Sequence, residues 1–233
     1  MIAAADLLLA TVDHRGAPPR RPQVGWLSAA ARPAVTAVAR RLGVDVEVRV
    51  VGPDPALDGG LDGRLDGAAP AWDLVTADVS AVGRGTPARL AHLARSSGAR
   101  CPNTVALGLA ADPAAARVAL AAAGFPVTDD GGPARGRTAV TVAVARRPSG
   151  WWRPLGRTAA SDPRVLELAA SAAAGLDVCG VFALDLVTVG DGVLVEAVRV
   201  GPDPDDPVAV EAHLRGLLDL PLEADPAGWL AAT

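Results

Sequence analysis

Two acids and one absence carry most of the chemistry in this sequence. Asp185 and Glu196 sit on either side of Gly190-Asp191-Gly192, between two β-rich apolar runs, Val181–Val189 and Val193–Val200. A two-residue turn at Gly190-Asp191 sets positions 185 and 196 directly opposite on one face of a hairpin. Facing carboxylates suit Mg²⁺, which takes oxygen ligands and shares them with nucleotide phosphates. A turn at Asp191-Gly192 instead shifts the register and separates them. The residues alone favour the plainer alternative, two acids on a solvated strand face. The absence is lysine, because all 22 basic residues are arginine. Arginine keeps the charge but is no compact point-charge donor.

The other reactive residue types are isolated. His14, His92 and His213 have no cysteine or acidic partner at ligand spacing. His213 falls on a predicted helix, in a packing or surface role. Cys101 and Cys179 are far apart and read as small buried residues of a reducing compartment rather than a disulfide. Trp151-Trp152 is a candidate stacking pair, although such pairs on hairpins more often pack against a helix or a second subunit. The repeated Leu-Asp-Gly units within Asp54–Pro70 lack the full ligand series of a calcium loop.

A net charge of −4 with scattered arginines gives no basic stripe, so no nucleic-acid partner is expected. Ile2–Ala10 is too short to span a bilayer and lacks a positive flank, so neither leader nor anchor is expected and the cytoplasm follows. Half of the 233 residues are hydrophobic, enough for one large domain or two small ones.

The elements that must position these residues alternate at first. Val24–Leu27, Val44–Val51 and Trp72–Val75 read as strands, the second near a sheet edge because Asp45, Glu47 and Arg49 alternate with valines. Pro33–Leu42 and Thr86–Ser97 read as helices, Arg100–Val105 as a connection. Asp112–Ala123 is a helix with a cap at Asp112, Pro113 in its first turn and Gly124 after its end. Beyond a break at Gly131–Gly136 the pattern turns antiparallel: a hairpin over Thr138–Arg146 and Trp151–Leu155, a helix at Pro163–Ala174, the hairpin that carries the two acids, and a last helix at Val208–Leu218. The expected organisation is an extension (1–22), a parallel βαβ domain (23–130), an antiparallel α+β domain (137–222) and a tail (223–233).

Three collinear segments are similar to carboxyaminoimidazole ribonucleotide synthetase, an ATP-grasp enzyme of purine biosynthesis. They are Trp72–Val82 with Thr86–Val127, then Gly180–Leu186 with Gly190–Glu196, then Val210–Leu222. The resemblance implies an ATP-grasp-like α/β fold, with Asp185 and Glu196 as the remaining metal ligands. ATP and Mg would be its cofactors if the family activity survives. The departures point the other way. The family's glycine-rich loop falls on Ser28-Ala29-Ala30, where methyl groups obstruct a phosphate's approach. Pro113 stands for a lysine and Val195 for an asparagine, and the glutamate expected near Val79–Ala81 is replaced by Ser80 or absent. Thr128–Arg137 replaces the lid subdomain and its second lysine. The expectation is a non-catalytic homologue without cofactor that acts by association, as a homodimer through Trp151, Trp152 and Trp229 or with another protein. One alternative is a ligase in which Arg117, Arg146 or Arg199 stands in for lysine. The other is a small-molecule binding module.

Overall fold

The computed structural model describes residues 20–50, 71–83, 85–128, 138–156, 163–189 and 192–222. Its first sheet is parallel, in the order β2-β1-β3, from β1 (Gln23–Ser28), β2 (Asp45–Val50) and β3 (Leu74–Ala77). β1 is buried from Val24 to Ser28 because it lies between the other two, and β2 is the edge its alternating charges predict. Helix α1 (Pro33–Arg41) connects β1 to β2 and buries Val35, Val38 and Ala39. β3 begins two residues later than the sequence suggests. Trp72 is not part of the ladder: its indole covers Gly25, where a Cβ would come within 2.8 Å of the ring. Its Nε1 donates to Glu47 at 3.1 Å, and Arg49 stacks on its face.

Helix α2 (Thr86–Ser97) ends at Gly98, in the left-handed region at φ 72°. The expected connection from Arg100 runs as far as Asn103, and its last two residues, Thr104 and Val105, begin an unexpected helix, α3 (Thr104–Ala110). No side chain caps this helix, so it lacks the usual start signal. Asn103, at φ 68°, instead binds the backbone of Cys179: its Nδ2 donates to the carbonyl at 2.7 Å and its Oδ1 accepts from the N–H at 2.8 Å. Helix α4 (Pro113–Ala122) starts as predicted, with Asp112 accepting from the amides of Ala114 and Ala115.

The second sheet is antiparallel, in the order β5-β4-β6-β7. It consists of β4 (Thr138–Arg146), β5 (Trp152–Leu155), β6 (Gly180–Val189) and β7 (Gly192–Val200). Helix α5 (Pro163–Gly175) packs on β4 and β6, and α3 and α4 pack against β7. Helix α6 (Pro207–Leu217) lies against β6 and also against α1. Gly216 makes that approach possible, since a Cβ there would sit 2.6 Å from the Gly180 Cα.

One hydrophobic core runs through both sheets, joining Leu27, Val75 and Leu90 to Phe182, Leu184 and Val195. A second lies between β1, α1 and α6, with Trp26, Val35 and Leu214. His213 of α6 links the two halves. Its ring is fully buried and meets Trp26 edge-on at 5.6 Å. Nδ1 accepts from the Val181 N–H at 3.0 Å, which puts the ring proton on Nε2, 3.0 Å from Thr76 Oγ1. Among the described residues no single helix is long and apolar enough to cross a membrane. The Asp54–Pro70 segment, the 131–136 break, nearly all of Thr128–Arg137, the 190–191 turn, His14, Trp229, residues 1–19 and the tail from 223 lie outside the described residues.

Two stability tests follow from these contacts. Burial lowers the His213 pKa from 6.5 to about 3. The unfolded chain therefore takes up this proton near pH 6.5, and the folded chain only near 3. Stability from the neutral ring is complete above pH 6.5 and falls by about 1.4 kcal/mol per unit as the pH drops through that window. Urea unfolding at pH 7 and pH 5 should show that loss in the native chain and a much smaller loss in His213→Gln. Asn103→Gly keeps the left-handed backbone but strips Cys179 of both partners, and should cost about 2–4 kcal/mol in the same assay. A cost under about 1 kcal/mol would refute the pairing.

Candidate functional site

The apolar residues of β7 change phase. Val193 and Val195 face the core, and so do Val198 and Val200, which leaves two residues rather than one between Val195 and Val198. The ladder absorbs the extra residue as a bulge: Leu186 pairs with Val195, but Asp185 pairs with Ala197. Val189 still pairs with Gly192, as a two-residue turn requires. The bulge therefore corrects the direct 185–196 pairing, because the core phase of Val198 and Val200 overrides regular alternation. Glu196 and Ala197 both turn away from the core, and Glu196 is exposed.

The bulge brings Arg199 to Asp185. Arg199 Nε donates to Asp185 Oδ2 at 2.8 Å, and Thr141 Oγ1 of β4 donates to Oδ1 at 2.7 Å. The Asp185 side chain is 19% exposed and that of Arg199 56%, so the acid is sheltered while its partner lies largely at the surface. These residues do not fit a divalent ion as arranged. Each Asp185 oxygen already accepts a hydrogen bond, and a guanidinium stands where a metal's charge would stand. No group of three or more His, Cys, Asp or Glu residues is placed to hold a metal among the described residues.

A second polar cluster closes the C-terminal ends of β1 and β3. Because β1 lies between β2 and β3, the chain leaves these ends in opposite directions, the usual ligand position of an open parallel sheet. Here protein groups meet one another instead. Ala29 N–H donates to Ser80 Oγ at 3.2 Å, and Arg32 Nε donates to Ser28 Oγ at 3.2 Å. Ser80 Oγ donates to the buried Asp78, whose other oxygen accepts from Trp26 Nε1 at 2.9 Å. Arg32 Nη1 reaches both oxygens of Asp205 at 3.1 Å. The loop carrying Asp205 is fixed by Gly201, at φ 97°, where a Cβ would come within 2.6 Å of the Ala77 carbonyl.

Of the three arginines considered as lysine substitutes, Arg199 is the one paired with Asp185 among the described residues. Arg146 donates to the Val178 carbonyl at 2.9 Å and pairs with Asp177, and Arg117, on α4, is also engaged in an interaction. Cys179 is buried and Cys101 half-buried; both are free thiols whose pKa burial raises. His92 is half-buried on α2, and His213 has the packing role expected of it. Trp152 packs against the core, whereas Trp151 is 70% exposed beside an open hollow of about 490 Å³ lined by Ser149, Gly150 and the two indoles. Thr141, Asp78, Arg32 and Asp205 have no motif that marks them in the sequence. The bulge does have one, the phase change between Val195 and Val198.

No protein-family model matches the chain, and no curated protein matches it. Solved structures do. N5-carboxyaminoimidazole ribonucleotide synthetase from Thermus thermophilus is 17% identical, with a TM-score of 0.64 over 86% of this chain and 79% of that one. The Thermotoga maritima enzyme of the same name is 16% identical, with a TM-score of 0.65 over 87% and 77%. A RimK domain ATP-grasp protein from Sphaerobacter thermophilus is 18% identical, with a TM-score of 0.58 over 82% and 98%. At such identities the likeness concerns the fold: a parallel three-stranded sheet followed by an antiparallel four-stranded one, the ATP-grasp-like architecture that the resemblance implies.

Proposed function

We propose that this chain is a degenerate ATP-grasp homologue, akin to carboxyaminoimidazole ribonucleotide synthetase of purine biosynthesis, that has lost catalysis and acts by association. The observation that carries this reading is the ion pair at Asp185, in a chain without any lysine. ATP-grasp chemistry passes through an acyl phosphate, and the negative charge on the transferring phosphoryl group calls for lysine and Mg²⁺. Arg199 is committed to Asp185, and Ala29 N–H and Arg32 are committed to Ser80 and Asp205. The groups best placed to meet phosphate therefore satisfy protein partners. Removing one electrostatic donor costs on the order of a hundredfold in rate.

Association has its own support in Trp151, a large exposed indole at the tip of the β4–β5 hairpin. Aromatic side chains of this kind anchor interfaces, and a two-fold dimer is the commonest closed assembly. The partner is a second copy or another protein, and the proposed compartment is the cytoplasm.

Two measurements test the reading. With ATP, Mg²⁺, bicarbonate and aminoimidazole ribonucleotide, phosphate release should not rise above the enzyme-free rate; substrate-dependent release would instead establish the ligase alternative, with ATP and Mg as its cofactors. Light scattering at micromolar concentration should give about twice the chain mass of 23.4 kDa, and Trp151→Ser should lower it toward one. A native mass of one chain that does not change on dilution rules out the dimer.

A further inference from the structure

We infer that Arg199 is a built-in cation: at Asp185 it takes the place of an exchangeable divalent ion, and this one residue closes the acidic pair to metal. The inference deepens the non-catalytic reading at the same residues. Its test uses no nucleotide, so the two can fail separately.

Placement comes first. Without the extra residue at Glu196, regular alternation outward from Val195 would send residue 199 into the core and residue 198 to the open face. The bulge reverses this, burying Val198 and Val200 and setting Arg199 on the face that carries Asp185. Arg199 pairs across the ladder with Ala183, which in turn pairs with Ala143. Small side chains at both positions leave the guanidinium room to lie along the sheet toward Asp185.

Charge comes second. Asp185 is mostly buried, and its two neighbours act differently. The Thr141 hydroxyl supplies a hydrogen bond without charge, so Arg199 alone balances the carboxylate. Glu196, the residue next to the Asp185 partner Ala197, has no hydrogen bond or ion pair among the described residues and lies exposed on the same side. Removing the guanidinium would leave one sheltered carboxylate with a second acid beside it and no counter-charge. Such oxygen-rich sites recruit Mg²⁺ or Mn²⁺. A guanidinium in contact with the carboxylate repels a dication and occupies its approach.

Mn²⁺ serves as the probe, read by electron paramagnetic resonance of the free ion and by water-proton relaxation in the full chain. The native chain and Arg199→Lys should bind no Mn²⁺ below millimolar concentration. Arg199→Gln, a change at a largely exposed side chain, should bind one Mn²⁺ at least tenfold more tightly. Adding Asp185→Asn to Arg199→Gln should abolish that gain, and circular dichroism should report the same fold for all four proteins. Submillimolar Mn²⁺ binding by the native chain that Asp185→Asn removes would overturn the inference. So would an Arg199→Gln protein that is folded and binds no more Mn²⁺ than the native chain.

Discussion

The imidazole of His213 touches both sheets at once. Thr76 belongs to the parallel sheet and Val181 to the antiparallel one, and the ring takes one hydrogen bond from each side while Trp26 packs on its edge. A neutral ring can do this because it offers one donor and one acceptor. The close approach needs Gly180, where a Cβ would come within 2.4 Å of Nδ1, and Gly216, which lets α6 lie directly on the β6 backbone. Arg32 with the Asp205 loop, and Asn103 with Cys179, are further polar contacts between the two halves. A continuous core then fixes the two halves as one body.

On this frame two polar clusters carry neutralising contacts within the protein. Arg32 meets Asp205 at the end of the parallel strands, and Arg199 meets Asp185 on the antiparallel sheet. Arg32 is mostly sheltered and so is Asp185, while the opposite partner in each pair is largely exposed. An exposed ion pair contributes little stability. These pairs matter more for which charges the surface presents than for how firmly the chain folds. An all-arginine composition suits this arrangement, since a guanidinium directs several N–H groups at fixed angles onto carboxylates.

Much of the architecture is legible in the sequence, because the strands and helices carry strong local signals. Asp112 and Pro113 start α4 as their types dictate, and the valines of β4, β6 and β7 set a hairpin pattern that the ladder follows. What escapes is information held between distant residues. Helix α3 has no cap of its own, because the side chain of Asn103 reaches 76 positions along the chain to Cys179. Trp72 reads as a strand residue from its neighbours, yet Gly25 opens a place for its ring outside the ladder. The acidic pair falls between these cases. Both residues and the turn are visible in the sequence, but their register depends on a phase change among four valines, which sets Arg199 beside Asp185 and Ala197 opposite it.

The resulting picture is an ATP-grasp-like fold in which Asp185 and Arg32 meet partners of opposite charge within the chain. It accords with structural likeness at low identity, since the two sheets and six helices of the described residues form the shared fold. Isothermal titration of the full chain with ATP and Mg²⁺ is the most direct test. Internal neutralisation predicts no saturable heat below millimolar nucleotide; a micromolar dissociation constant that needs Mg²⁺ would contradict it.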